Sequence, residues 1–290
     1  MDRSEARRFI AAVGMFDGVH KGHAHLLRQL KDEAAERDLA PLVLTFARHP
    51  LAVLHPESAP AVLTGTGLRA DLIRRLGIDN IGILDFSPDD FRLCAAEFMD
   101  KIKDEYGVEA LLMGFNNHIG SDRFTCQDLA ADGMPVIGAS RYPDLMVSSS
   151  AVRAAVVGND FAKAEELLGH QFIIRGTVVG GHRIGRTIGF PTANVVPEDS
   201  AQLIPDDGVY AVTVRTDTGT YRGMANIGMR PTVGGTHRTL EVHLIGFEGD
   251  LYGQTVDIGF IRRLRGERCF PDLQALKAQL VNDCRAAMEE

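Results

Sequence analysis

The sequence predicts two folds in series: a doubly wound parallel α/β sheet, then a small antiparallel β-barrel or sandwich with a terminal helix. Three observations point there. The first half alternates short apolar runs with runs of helical period. The second half is β-rich and is broken roughly every 8–12 residues by Gly, Asp-Thr-Gly or Glu-Gly-Asp turns. The last stretch, DLQALKAQLVNDCRAAM, is amphipathic at helical spacing. A chain of 290 residues is long enough to give each fold its own core.

The elements follow in order. RFIAAVGMF reads as a strand, and AHLLRQLKDEAAERD as a helix with Leu26, Leu27, Leu30 and Ala34 on one face. LAPLVLTF is a second strand, GLRADLIRRLG a helix stopping at Gly77, and IDNIGILDF a third strand. AAEFMDKIKDEYG is a helix, followed by the strands VEALLMGF and MPVIGAS. This alternation implies a parallel sheet whose ligand sits beyond the carboxyl ends of the strands. The β-rich runs are QFIIRGTVVGG, GVYAVTVRTDTGTYRGMANIG, TLEVHLIGFEG and TVDIGFIRRLRG. The period changes near FAKAEELLGHQF, where a helix stops at Gly169, so the expected domains are 1–168 and 169–290.

Composition narrows the function. A net charge of −8 argues against a broad grip on nucleic acid, and Arg74-Arg75 and Arg262-Arg263 read as local solvated faces. No apolar run approaches the roughly 18 residues of a membrane span, and the N-terminus lacks the apolar core of a secretion signal. Cys94, Cys126, Cys269 and Cys284 are widely spaced with no C-x-x-C pair. The expectation is a cytoplasmic protein with reduced thiols, a monomer or weak homo-oligomer acting on small molecules, without nucleic-acid or membrane partners.

Two stretches carry chemistry. Gly14-Met15-Phe16-Asp17-Gly18-Val19-His20-Lys21-Gly22-His23 joins the first strand to a helix. Orphan N–H groups and the helix dipole converge there on an anion, and His20 and His23 can donate to a departing pyrophosphate. Two surface histidines in a turn are the plain alternative, and a metal pair lacks a third ligand nearby. Ser148-Ser149-Ser150-Ala151-Val152-Arg153 precedes a helical pattern; it reads as an ordinary N-cap or as a second anion site with Arg153 forking onto phosphate.

The other stretch is GGHRIGRTIGFPTANV, residues 180–195. It nearly spells a phosphate loop, but Gly189 and Pro191 stop a helix from starting, so it is not a Walker loop. Gly181 and Gly185 make a pliable phosphate cover and Arg186 adds charge. Thr192 and Asn194, two apart on an extended segment, share a face and suit Mg²⁺. A glycine-rich hairpin with a Pro-Thr turn fits the same residues. In L-E-V-H-L, Glu241 and His243 share one strand face.

These motifs resemble known families. G-x-F-D-G-x-H-x-G-H at 14–23 and S-S-S-x-V-R at 148–153 resemble nucleotidyltransferases of the FMN adenylyltransferase (FAD synthetase) branch. Thr45-Phe46-Ala47-Arg48-His49-Pro50 is similar to that branch's T-F-x-P-H-P. The stretch from Met113 to Arg123 is similar to G-x-[DN]-F-x-F-G-x-x-R, with Asn117 and Ile119 replacing two aromatics that line the flavin side. G-R-x-I-G-F-P-T-A-N-V at 185–195 resembles the riboflavin kinase signature. Asp207-Gly208-Val209-Tyr210, the run from Gly223 to Thr232, Leu240 to Leu244, Leu251-Tyr252-Gly253 and Arg265 to Phe270 follow in the family's order.

The resemblance implies a Rossmann-like nucleotidyltransferase domain and a riboflavin kinase β-barrel. It implies a bifunctional transferase of FAD biosynthesis: riboflavin to FMN, then FMN to FAD, with ATP and Mg²⁺ at both steps. Glu241 would be the kinase base, with His20, His23 and Arg153 catalytic in adenylyl transfer. Gly14, Phe16, Asp17, Gly22, Ser148, Ser149, Ser150, Gly181, Gly185, Arg186, Thr192 and Asn194 would hold ATP or phosphate. Asn116, Arg123, Phe190 and Arg265 would hold flavin. Two rivals are a kinase with an impaired adenylyltransferase and a non-catalytic flavin sensor.

Overall fold

The computed structural model describes residues 8–143, 146–180, 188–232 and 235–289, which belong to two compact units. One comprises Met1–Val62 and Thr66–Ser148, the other Leu63–Gly65 and Ser149–Glu290.

The first unit runs β1 (Phe9–Val13), α1 (Lys21–Glu36), β2 (Ala40–Phe46), α2 (Pro50–Leu54), α3 (Thr66–Arg75), β3 (Ile81–Leu84), α4 (Ala95–Tyr106), β4 (Val108–Met113), α5 (Cys126–Ala131) and β5 (Val136–Gly138). Its five strands line up β3-β2-β1-β4-β5 with every pairing parallel. The winding reverses between β1 and β4, which opens a crevice at their carboxyl ends. The expected face of α1 is largely buried: Leu27, Leu30 and Ala34 fully, Leu26 in part. Two short helices escape periodicity. α2 starts on Pro50, with the His49 side chain accepting from the Leu51 N–H at 3.1 Å. α5 is closed by a capping box, in which Thr125 Oγ1 accepts the Asp128 N–H and Asp128 accepts the Thr125 N–H.

The second unit runs α6 (Ser149–Val157), α7 (Phe161–Leu168), β6 (Phe172–Val179), β7 (Ala193–Pro197), β8 (Gly208–Thr216), β9 (Gly219–Thr232), β10 (Gly235–Leu244), β11 (Thr255–Arg265) and α8 (Leu273–Met288). The six strands close into an antiparallel barrel in the order β10-β7-β6-β11-β8-β9. Closure leaves no strand edge to pair elsewhere. The Asp217-Thr218 turn joins β8 to β9, with Thr216 paired to Gly219.

Packing divides the chain between Ser148 and Ser149, whereas the period changes at Gly169. The reason is Phe161 of α7, whose ring stacks on Phe260 at 5.4 Å and meets Tyr210 edge-on at 5.7 Å. Phe172, Tyr210 and Phe260 are all buried, so the helix pair shares the barrel's core although its pattern continues the α/β half. α8 covers another face, where Leu280, Cys284 and Ala287 pack with Val209, Ala211 and Met224.

Backbones approach closely at Gly176, where an added Cβ would stand 2.4 Å from the Val196 carbonyl oxygen and 2.5 Å from Val195 Cγ1. A backbone carbonyl in a closed barrel cannot step aside. Gly176→Ala is therefore expected to destabilise the second unit by about 1–3 kcal/mol. Urea unfolding followed by circular dichroism checks this, and an unchanged midpoint would refute it.

Candidate active sites

The loop from β1 to α1 is strained. Phe16 (φ 49°) and the β-branched Val19 (φ 42°) both occupy the left-handed region, which costs about 1–3 kcal/mol for such residues. Both side chains are buried, and the Val19 N–H bonds the Phe16 carbonyl at 3.0 Å, so packing holds the turn. The turn delivers His20 as the N-cap of α1, its Nδ1 accepting the His23 N–H at 3.2 Å. Accepting at Nδ1 leaves the proton of the neutral ring on Nε2. His23 stacks on His20, with ring centroids 3.6 Å apart and planes 12° from parallel. A Cβ at Gly22 would lie 3.1 Å from His20 Cε1, so this glycine makes room for the imidazole as well as for an anion.

Burial sets the charge of this pair. Desolvation lowers the His20 pKa to about 4, and it holds His23 well below the usual imidazole value, helped by the neighbouring His20 and Arg69. At neutral pH both rings are uncharged donors. His23 Nδ1 is buried with no hydrogen-bond partner among the described residues, a cost of about 1–3 kcal/mol that stability alone would not retain.

Sequence reasoning missed Arg69. It is 1% exposed, and it donates through Nη2 to the Phe46 carbonyl at 2.5 Å and to Thr66 Oγ1 at 3.2 Å. The available signal was a charge set into the apolar stripe of α3 beside Leu68, Leu72 and Ile73.

A cavity of about 570 Å³ opens at the switch point, between Gly14 after β1 and Asn116 to Arg123 after β4. It brings Gly14, Asn116 and Arg123 together. Asn117 and Ile119 also line it, but both serve the scaffold: Asn117 Nδ2 donates to the Val13 carbonyl at 3.3 Å, and Ile119 is buried in the core. The aromatic wall comes from elsewhere. Phe46, Phe91 and Phe98 surround Phe86 edge-to-face at 5.2, 5.2 and 6.0 Å, and all four face the cavity. These rings come from β2, the segment after β3, and α4, and no local pattern links them. Ser148 ends the first unit, while Ser149, Ser150 and Arg153 belong to α6 in the second.

The second unit has a cavity of about 380 Å³ between barrel strands and α8. Register builds it. Glu241 lies opposite Asn194 of β7 and Asn226 of β9; Asn226 is opposite Val209 of β8, and Val209 is opposite Arg265 of β11. Residues directly opposite one another share a sheet face, so these five form one row, and all five line the cavity. Glu241 is 6% exposed, and Thr192 Oγ1 donates to its Oε2 at 3.4 Å. The structure thus brings Glu241, Thr192, Asn194, Phe190 and Arg265 to one wall. Gly181, Gly185 and Arg186 lie outside the described residues.

Arg265 is also a structural anchor. Its Nε and Nη2 donate to the Asp283 carboxylate at 2.7–3.1 Å, and its Nη1 donates to the Gly266 carbonyl at 3.0 Å. Asp283 is also buried and accepts from Gln279. The guanidinium therefore fastens α8 over the cavity that it lines; removing one partner of such a pair costs about 3–5 kcal/mol. Asn226 and Asp283 were not singled out from the sequence, because only the register and the helix docking give them a place.

Comparisons with known proteins match the two halves of the chain separately. The riboflavin kinase family model matches residues 168–290, and the FAD synthetase family model matches residues 2–139. The bifunctional riboflavin kinase/FMN adenylyltransferase of Pseudomonas fluorescens is 39% identical over 294 residues, covering 98% of this chain and 94% of its own. The protein of that description from Escherichia coli K12 is 36% identical over 289 residues, covering 97% and 92%. A crystal structure from Streptococcus pneumoniae, described as a macrolide-efflux protein, superposes with a TM-score of 0.86 at 32% identity, covering 99% of this chain and 95% of that one. No helix among the described residues is long and apolar enough to cross a membrane.

The His20 assignment has a pH signature. Its folded pKa lies below the ordinary 6.5, so between pH 6.5 and about 4 the unfolded chain binds more protons. Stability from this group is complete above pH 6.5 and falls by up to about 3 kcal/mol on acidification through that window. An NMR titration of the free protein should find His20 neutral at pH 5.5; a midpoint near 6.5 would refute its burial.

Proposed function

Because this chain belongs to the bifunctional riboflavin kinase/FMN adenylyltransferase family, we propose that each cavity serves one of the two reactions. The barrel cavity takes riboflavin and ATP and yields FMN and ADP. The switch-point cavity with the His20–His23 loop takes FMN and a second ATP and yields FAD and pyrophosphate. The observation that carries this reading is the buried Glu241 in a polar row beside Thr192, in a cavity lined wholly by the second unit.

In the kinase step the ribityl 5′-hydroxyl is a poor nucleophile. Glu241 takes its proton as the oxygen attacks the γ-phosphorus and the bond to the β-phosphate oxygen breaks. Thr192 orients the carboxylate by donating to Oε2. Thr192 and Asn194 offer neutral oxygens beside the place for the phosphates, and no cluster of acidic, His or Cys ligands occurs among the described residues. That donor set fits Mg²⁺, which keeps water and phosphate ligands and neutralises phosphate charge when bound.

In the adenylyl step an FMN phosphate oxygen attacks the α-phosphorus of ATP and pyrophosphate leaves, so no protein nucleophile is required. His20 Nε2–H, a neutral His23 donor and the N-terminus of α1 receive the charge developing on pyrophosphate. Ser148, the last residue of the first unit, binds phosphate in the same reaction. The isoalloxazine rests against Phe46, Phe86 and Phe91, with Asn116 and Arg123 as polar contacts. This wall does the work of the two missing aromatics, which favours an active adenylyltransferase over an impaired one. The four cysteines are free, which suits the reducing cytoplasm.

Purified protein incubated with riboflavin, ATP and Mg²⁺, with flavins separated by chromatography, tests both steps. Glu241→Gln should lower FMN formation at least about 100-fold while leaving conversion of added FMN to FAD intact; loss of both would rule out two sites. His23→Ala should lower FAD formation about 100-fold and spare FMN formation. An unchanged FAD rate would remove His23 from the machinery.

A further inference from the structure

His243 stands two residues after Glu241 on the same face of β10, and both line the barrel cavity. The ladder between β10 and β7 runs Leu240 to Val195, Glu241 to Asn194 and Val242 to Ala193, and then stops. The next pair would be His243 with Thr192. Thr192 therefore lies one residue beyond the last backbone pairing that could hold it, and its own contact with Glu241 is long at 3.4 Å.

A side chain takes over where the ladder ends. His243 Nδ1 lies 2.7 Å from the Pro191 carbonyl oxygen; a carbonyl only accepts, so Nδ1 carries the proton and donates. The same imidazole meets the Phe190 ring edge-on at 5.4 Å. Phe190 and Pro191 lead directly into Thr192, so one ring grips both residues of the turn that presents it.

We propose that His243 is a positioning residue for phosphoryl transfer: its clamp on Phe190-Pro191 sets Thr192 and Asn194 against Glu241. The proposal rests on the roles given above to Thr192 and Asn194. It separates holding the metal–nucleotide from taking the proton, because His243 touches the turn and not the reacting atoms.

Side-chain geometry supplies the test. The Asn Nδ2 occupies the place of the imidazole Nδ1, whereas the Gln amide reaches the place of Nε2. His243→Leu and His243→Gln should lower the rate of FMN formation about 10- to 100-fold, as misplacement by about an ångström does. Both should also weaken binding of Mg²⁺-ADP measured by calorimetry. His243→Asn should restore rate and binding to within about threefold of the unaltered protein. Conversion of added FMN to FAD should stay unchanged in all three preparations. Wild-type rate and binding in His243→Leu would overturn the proposal, as would equal rescue by Gln and Asn, or parallel loss of both activities. If His243→Leu fails to fold, the Asn and Gln pair decides. Thr192→Ala is the control: if it leaves rate and Mg²⁺-ADP affinity intact, the reading of the site fails. If Thr192→Ala impairs both and His243→Leu neither, only the clamp fails.

Discussion

Three apolar side chains decide where Glu241 points. Leu240, Val242 and Leu244 are buried on one face of β10, each gaining about 1.5–3 kcal/mol from burial. Because successive residues alternate, burying them turns Glu241 and His243 to the opposite face. A slip of one residue would carry Glu241 into the apolar layer as an unpaired charge and throw the leucines out. The hydrophobic core thus fixes the register, and the register places Glu241 opposite Asn194 and Asn226 at once.

The two cavities differ in what they cover. The barrel buries Glu241, hydrogen-bonded by Thr192. The β1–α1 loop keeps two imidazoles neutral under cover. Burial removes water's screening at both, and it also depresses imidazole protonation beside Arg69. Backbone strain at Phe16 and Val19 belongs to the same arrangement, since the turn it permits makes His20 the helix cap.

Side chains distant in sequence complete each wall. Arg265 and Asp283 tie β11 to α8, so the helix that roofs the barrel cavity is held by a buried bidentate pair as well as by apolar contact. Phe46, Phe86, Phe91 and Phe98 form the aromatic side of the other cavity from three separate elements. Such walls are stiff because each ring is braced by another, which suits the binding of a flat ligand.

Much of this was legible in the sequence. Apolar period, turn residues and the glycine-bearing loops announced the strands, the main helices and the parallel-then-antiparallel order, because those signals act within a few residues. The His20–His23 spacing and the Thr192–Asn194 pair are local geometries written locally, whereas Glu241 was singled out by the family resemblance, because a lone glutamate on a strand ordinarily faces solvent. Tertiary structure alone decided that α6 and α7 belong with the barrel and that Arg265 serves Asp283. It also decided that Arg69 acts on His23, that His243 grips Pro191, and that phenylalanines far apart form the aromatic wall of the switch-point cavity. These are pairings between residues separated by tens of positions. They depend on strand register, helix docking and the packing of particular side chains, and periodicity carries none of that information.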